Sequence, residues 1–148
     1  MRWLLLLTSL LLGACAWRVE APVPPAGGVR LELIDRGCRL PAAPQQVRQA
    51  LARALVAELG WRLDAAAPAV LRLELSPETI VAAGSLDRVT SRWTITLDAR
   101  IELLDHGPSR QARLSASGGY GGLDDEILGV EAAAQALADA VVAWLMGG

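Results

Sequence analysis

The chain of 148 residues has no lysine, no phenylalanine and no asparagine, and only two cysteines and one histidine. Two cysteines and one histidine are too few for a zinc cluster or a disulfide framework. All 14 basic residues are arginine, and 16 acids outnumber them for a formal net charge of −2. A nucleic-acid partner needs a clear basic excess, so that class is excluded. A spanning helix needs roughly 20 apolar residues, and the apolar run from Trp3 to Leu12 is too short to stay in a bilayer. No catalytic motif is present either. Gly118-Gly119-Tyr120-Gly121-Gly122 lacks the Lys-Ser/Thr of a phosphate loop and reads as a mobile loop. His106 sits in a turn beside Gly107-Pro108 with no Cys or Ser partner in sequence, which is a poor setting for a general base. Asp124-Asp125-Glu126 reads as an acidic helix start, not a cation site. No catalytic residue, metal ligand or cofactor is expected, and the chain is read as a non-enzyme.

What is present begins with an address. Met1-Arg2, the apolar run and Gly13-Ala14-Cys15 describe a secretory signal peptide. Leu12-Gly13-Ala14-Cys15 resembles the lipobox of bacterial lipoproteins. That resemblance implies cleavage before Cys15 and acylation of its thiol and new amino group, and multiple acyl chains give stable membrane attachment. Ala16 is not the Asp that retains such proteins in the inner membrane, so the periplasmic face of the outer membrane is expected. Glu20 to Gly28 holds three prolines and two glycines, a composition that sustains neither helix nor central strand. The expected organisation is a signal peptide at 1–14, a lipidated Cys and Pro/Gly tether at 15–28, and one domain at 29–148. Cys38 is then the only free cysteine. It reads as a partly buried, inert thiol, with pairing to another chain as the alternative.

Periodicity supplies the rest. Val29, Leu31 and Leu33 alternate with Arg30 and Glu32, a half-buried strand. Pro44 opens a helix whose stripe is Val47, Leu51, Leu55 and Leu59, stopped by Gly60. Val70 to Leu75 is a second strand. Ile80 to Arg88 reads as a strand extension or a loop, with Gly84-Ser85 favouring a turn. The strand from Trp93 to Leu103 has Ile95, Leu97, Ala99 and Ile101 on one parity and Thr94, Thr96, Asp98, Arg100 and Glu102 on the other. His106 to Ser109 is a turn, and Ala112, Leu114 and Ala116 make a fourth strand, paired with the third. Val130, Ala134, Leu137, Val141 and Leu145 stripe a last helix, with Trp144 beside them. The order β-α-β-β-β-α predicts an α+β two-layer sandwich, a four-stranded, mainly antiparallel sheet with two helices on one face. The other face is then polar and either solvated or a docking surface.

The opening Cys15-Ala16-Trp17-Arg18 resembles that of LptE-type lipopolysaccharide-assembly lipoproteins. The helix from Val47 to Leu59, the strand Ala69-Val70-Leu71-Arg72-Leu73, the strand from Arg88 to Leu97 and the helix Glu131 to Leu145 are similar to that family's in pattern and order. The resemblance implies a non-enzymatic role: a plug in the LptD outer-membrane β-barrel that assists its assembly and binds lipopolysaccharide. It also implies lipopolysaccharide or partner contact at Arg88, Arg92 and Arg113, where a planar guanidinium suits phosphate. The alternative is a periplasmic adaptor lipoprotein of another envelope system, such as a lipid-transporter subunit or a cell-wall synthase activator. Several such families reuse a short sheet with two helices.

Overall fold

Alternating apolar and polar residues dictate the sheet, and residues four apart dictate the helices that cover it. A computed structural model describes residues 22–83, 92–122 and 125–147. The elements are β1 (Val29–Asp35), α1 (Ala42–Ala57), β2 (Ala69–Leu75), β3 (Thr79–Ala83), β4 (Arg92–Leu104), β5 (Arg110–Gly121) and α2 (Glu126–Met146). β1 runs parallel to β2, with Leu31 opposite Leu71 and Leu33 opposite Leu73. β2 and β3 run antiparallel to β4, and β5 pairs with β4 along its opposite side. α1 and α2 pack against each other on one face, so the expected α+β sandwich is found.

The sheet has five strands where four were expected, yet it is four strands wide. β2 occupies the Ala99–Leu104 half of β4 and β3 the Arg92–Thr96 half of the same side. The ladder continues between them through Ser76 N–H donating to Asp98 O at 2.9 Å. Ser76, Pro77 and Glu78 then stand opposite only Leu97 and Asp98. Pro77 has no N–H to give the ladder, and the extra residue is accommodated as a bulge. The strand-extension reading of Ile80 to Arg88 therefore holds through Ala83. Residues 84–91 lie outside the described residues.

The core forms where the inward parities meet the helix stripes. Leu71, Leu73, Leu75, Ile95, Leu97 and Ile101 are fully buried against Val47, Leu51, Leu55, Leu137, Val141 and Leu145. Each such aliphatic side chain contributes about 1.5–3 kcal/mol. α1 begins at Ala42, two residues before the expected Pro44. Pro44 falls in the first turn, where a missing N–H leaves no helical bond unmade. α2 is 21 residues long and holds an 18-residue window of mean hydropathy 1.4, which matches a spanning helix in length and composition. Its Val130, Leu137, Val141 and Leu145 are buried in the protein, while Glu131, Gln135 and Asp139 are exposed.

The glycine run read as a mobile loop is instead the end of β5. Gly118 pairs with Ile95, Gly119 with Thr94 and Gly121 with Arg92. α2 crosses directly over this segment. A Cβ on Gly118 would sit 2.5 Å from the backbone N of Ala133 and closer still to Gly129 O, and one on Gly129 would strike the Tyr120 ring. The two glycines are there because helix and strand touch backbone to backbone. Tyr120 fills the space beside them and stacks on Trp93, with ring centroids 6.4 Å apart and planes 16° apart.

Candidate docking surface

Cys15 lies outside the described residues, but the end of its tether does not. Pro25 is buried, and Gly28 N–H donates to Pro25 O at 3.0 Å. Gly28 adopts φ +91° with its Cα against Arg62 O, where a Cβ would approach to 2.6 Å. Val29 N–H then donates to that same Arg62 O at 2.8 Å. His106, in the β4–β5 turn, places Nε2 3.2 Å from Val23 O. Pro22, Val23, Trp61, Leu103, His106 and Leu145 line a shallow apolar cavity of about 300 Å³ at this corner. The Pro/Gly segment is thus held to the body from Pro22 onward, by the contact of Val23 with His106 and by the burial of Pro25.

The polar face of the sheet is built from the other parity. Arg30 pairs with Glu32 at 3.1 Å, Glu32 with Arg72 at 3.1 Å, Arg72 with Glu102 at 3.8 Å, and Glu102 with Arg100 at 2.8 Å. Arg100 donates onward to Gln111 Oε1 at 2.8 Å. One chain of contacts thereby crosses β1, β2, β4 and β5. Beside it Arg36 pairs with Glu74 at 2.8 Å and holds the Glu74 carboxyl below the usual carboxylate range. Arg36, Glu74, Asp98, Arg100, Arg113 and Ser115 line a concave groove of about 580 Å³. Exposed pairs of this kind contribute roughly 0–1 kcal/mol each. They act mainly by fixing where the charges stand.

Of the three arginines implied by the family resemblance, the two that are described stand apart. Arg113 is exposed on β5, opposite Arg100, and makes no ion pair with a described residue. Arg92 is exposed at the first position of β4. The two share a face, but eight residues of strand between Arg92 and Arg100 separate them by about 26 Å. Arg88 lies outside the described residues.

Cys38 is half-buried, and its thiol is pushed up to about 12, chiefly by burial and then by Asp35 and Glu78. Its Sγ lies 3.6 Å from Ser76 O. The partial burial expected of this thiol is found, and the raised value predicts an inert one. Two residues that the sequence reading passed over complete the picture. Glu78 is only 4% exposed and accepts the backbone N–H groups of Arg39 at 2.9 Å and Leu40 at 2.8 Å. Trp61 is buried with its indole N–H unpartnered among the described residues. The charged residue directly after Ser76-Pro77 was the available signal for Glu78, since a proline in a ladder marks a bulge that re-aims a side chain.

Known structures share this fold. A minor lipoprotein from Acinetobacter baumannii superposes with a TM-score of 0.56 at 19% identity, over 80% of this chain and 91% of that one. A chain described as a lipoprotein from Caulobacter crescentus does so at 0.52 and 18% identity, over 79% and 88%. The protein CT253 from Chlamydia trachomatis gives 0.52 at 14% identity, over 81% and 96%. At these identities the likeness is one of fold. The chain matches no protein-family model and no curated protein sequence.

Proposed function

We propose that the chain is a lipid-anchored envelope lipoprotein that works by docking and not by catalysis. The observation that carries this is the lipobox Leu12-Gly13-Ala14-Cys15 set seven residues before a segment held to the folded body at Val23 and His106. Two fold neighbours described as lipoproteins support it. The finer reading is an LptE-type partner of an LptD-type outer-membrane barrel that also contacts lipopolysaccharide. The family resemblance and Arg113, which makes no ion pair among the described residues of the polar face, support that. The spread of Arg92 and Arg113 over opposite ends of the face favours the second reading, an adaptor lipoprotein of another envelope system.

The test is to label cells with an acyl precursor and to purify the tagged protein in mild detergent. Acyl label and outer-membrane fractionation are expected for the native chain, and loss of both for Cys15→Ser. An LptD-type barrel among the co-purifying proteins supports the finer reading. Its consistent absence, with normal surface lipopolysaccharide after depletion, leaves the adaptor reading.

A further inference from the structure

The outer edge of β5 carries an inference independent of the anchor and of lipopolysaccharide. β5 pairs with β4 over twelve unbroken positions on one side, and no described strand pairs with its other side. Such a row of free N–H and C=O groups is a template for another strand, and natural proteins guard it with charged side chains, proline, bulges or brevity. β5 has no proline and no bulge along its twelve residues, and its two charges, Arg110 and Arg113, both stand in its first four positions. By contrast β1 is seven residues long and β3 only five. The one core-side charge of β5, Arg110, stands at its first position, tied to Trp144 O at 2.7 Å.

Two further observations single out this edge. Ala112, Leu114 and Ala116 face the core and remain only half-buried. α2 covers them from above, and no described residue pairs beside them. Above Gly118 the helix presents only small residues, Gly129, Ala132 and Ala133.

We propose that β5 pairs antiparallel with β5 of a second copy of this chain, about a two-fold axis normal to the sheet. Such pairing keeps both helix layers on one face and joins residues of equal parity. Two registers use nearly the whole strand. One centres on Ser115 and sets Arg113 opposite Ser117 and Arg110 opposite Tyr120. The other centres on Ala116 and sets Arg113 opposite Gly119 and Ala112 opposite Tyr120. In both, every charge meets a neutral partner and Tyr120 meets no second aromatic. The strand is complementary to its own reverse because its arginines lie in its first four positions and its serines and glycines in the last seven. A parallel in-register pairing would place Arg113 on Arg113, which is destabilising. The antiparallel ladder would form roughly ten backbone hydrogen bonds.

The test uses the processed chain in mild detergent at high micromolar concentration, with mass measured in solution. The native chain is expected to be a dimer. Ser115→Lys, on the exposed polar face, puts two lysines beside the two-fold axis and is expected to give a monomer with an unchanged circular dichroism spectrum. In a Cys38→Ser background, Ser115→Cys is expected to cross-link to itself if the register centres on Ser115. If it centres on Ala116, Ser115→Cys is expected to cross-link to Ser117→Cys when the two are mixed. A monomeric native chain, a dimer indifferent to Ser115→Lys, or the absence of both cross-links overturns the proposal.

Discussion

Cys38 illustrates how neighbours decide what a side chain does. Burial and two carboxylates suppress its thiolate, and thiolate is the reactive form. Alkylation of the folded protein at pH 8 is expected to be slower by roughly a hundredfold or more than in denaturant, measured by mass spectrometry. Comparable rates would show that the thiol is not held as described. The raised value has a stability consequence of fixed sign. Above the unfolded thiol's usual range the unfolded chain loses a proton that the folded chain keeps, so stability falls as pH rises. Cys38→Ser is expected to remove that alkaline slope from the melting curve. The sequence made this residue legible as inert, because a lone, partly buried cysteine usually behaves as a small hydrophobe. Glu78 it signalled only through the Pro77 beside it, because the need of two N–H groups thirty-eight and thirty-nine residues upstream for an acceptor is set by the fold.

Elements are where local pattern and tertiary packing come apart. β4 and both helix stripes were readable, since their periods run long enough to tell helix from strand. β5 was readable only to Ala116. The glycines beyond it have low strand preference, and a close helix crossing overrides that preference. Gly118→Ala is expected to destabilise the fold by about 1–3 kcal/mol, read as a lowered denaturation midpoint, whereas Gly119→Ala, whose nearest neighbour stands at 3.8 Å, is expected to cost much less. Equal costs would contradict the crossing. The bulge between β2 and β3 offers a second check. Glu78→Ala strips the buried acceptor from Arg39 and Leu40 and is expected to cost about 3 kcal/mol in a urea titration. A loss below about 0.5 kcal/mol would mean that water replaces the carboxylate.

On the scale of the whole molecule, the layers and their order followed from the sequence, while the grouping of the arginines did not. A strand pattern gives the face on which a residue stands, but not the distance along it at which a partner strand will place another. The same scale sets the acid limit. Asp35, Asp64 and Glu74 all titrate below their usual values, held by the backbone N–H of Cys38, the backbone N–H of Ala66 and the Arg36 guanidinium respectively. Groups with depressed values stabilise the fold above the unfolded carboxylate range and lose that contribution as pH falls through their own lower values. The melting temperature is therefore expected to drop progressively below about pH 4. Asp35→Asn is expected to flatten the drop, and an unchanged slope would argue against the contacts to Gly37 and Cys38.

The contact between Val23 and His106 also sets an upper limit on a height. If Cys15 is the anchor, seven residues separate it from Pro22, so the β4–β5 turn stands no more than about 25 Å from the membrane surface. β4 then acts as a ruler leading away from that turn. Measured from the Leu103–Arg110 pair, Arg113 lies about 10 Å along it and Arg92 about 36 Å along it. With that turn towards the membrane, Arg113 stands about 26 Å nearer than Arg92 to a lipid of the anchoring leaflet.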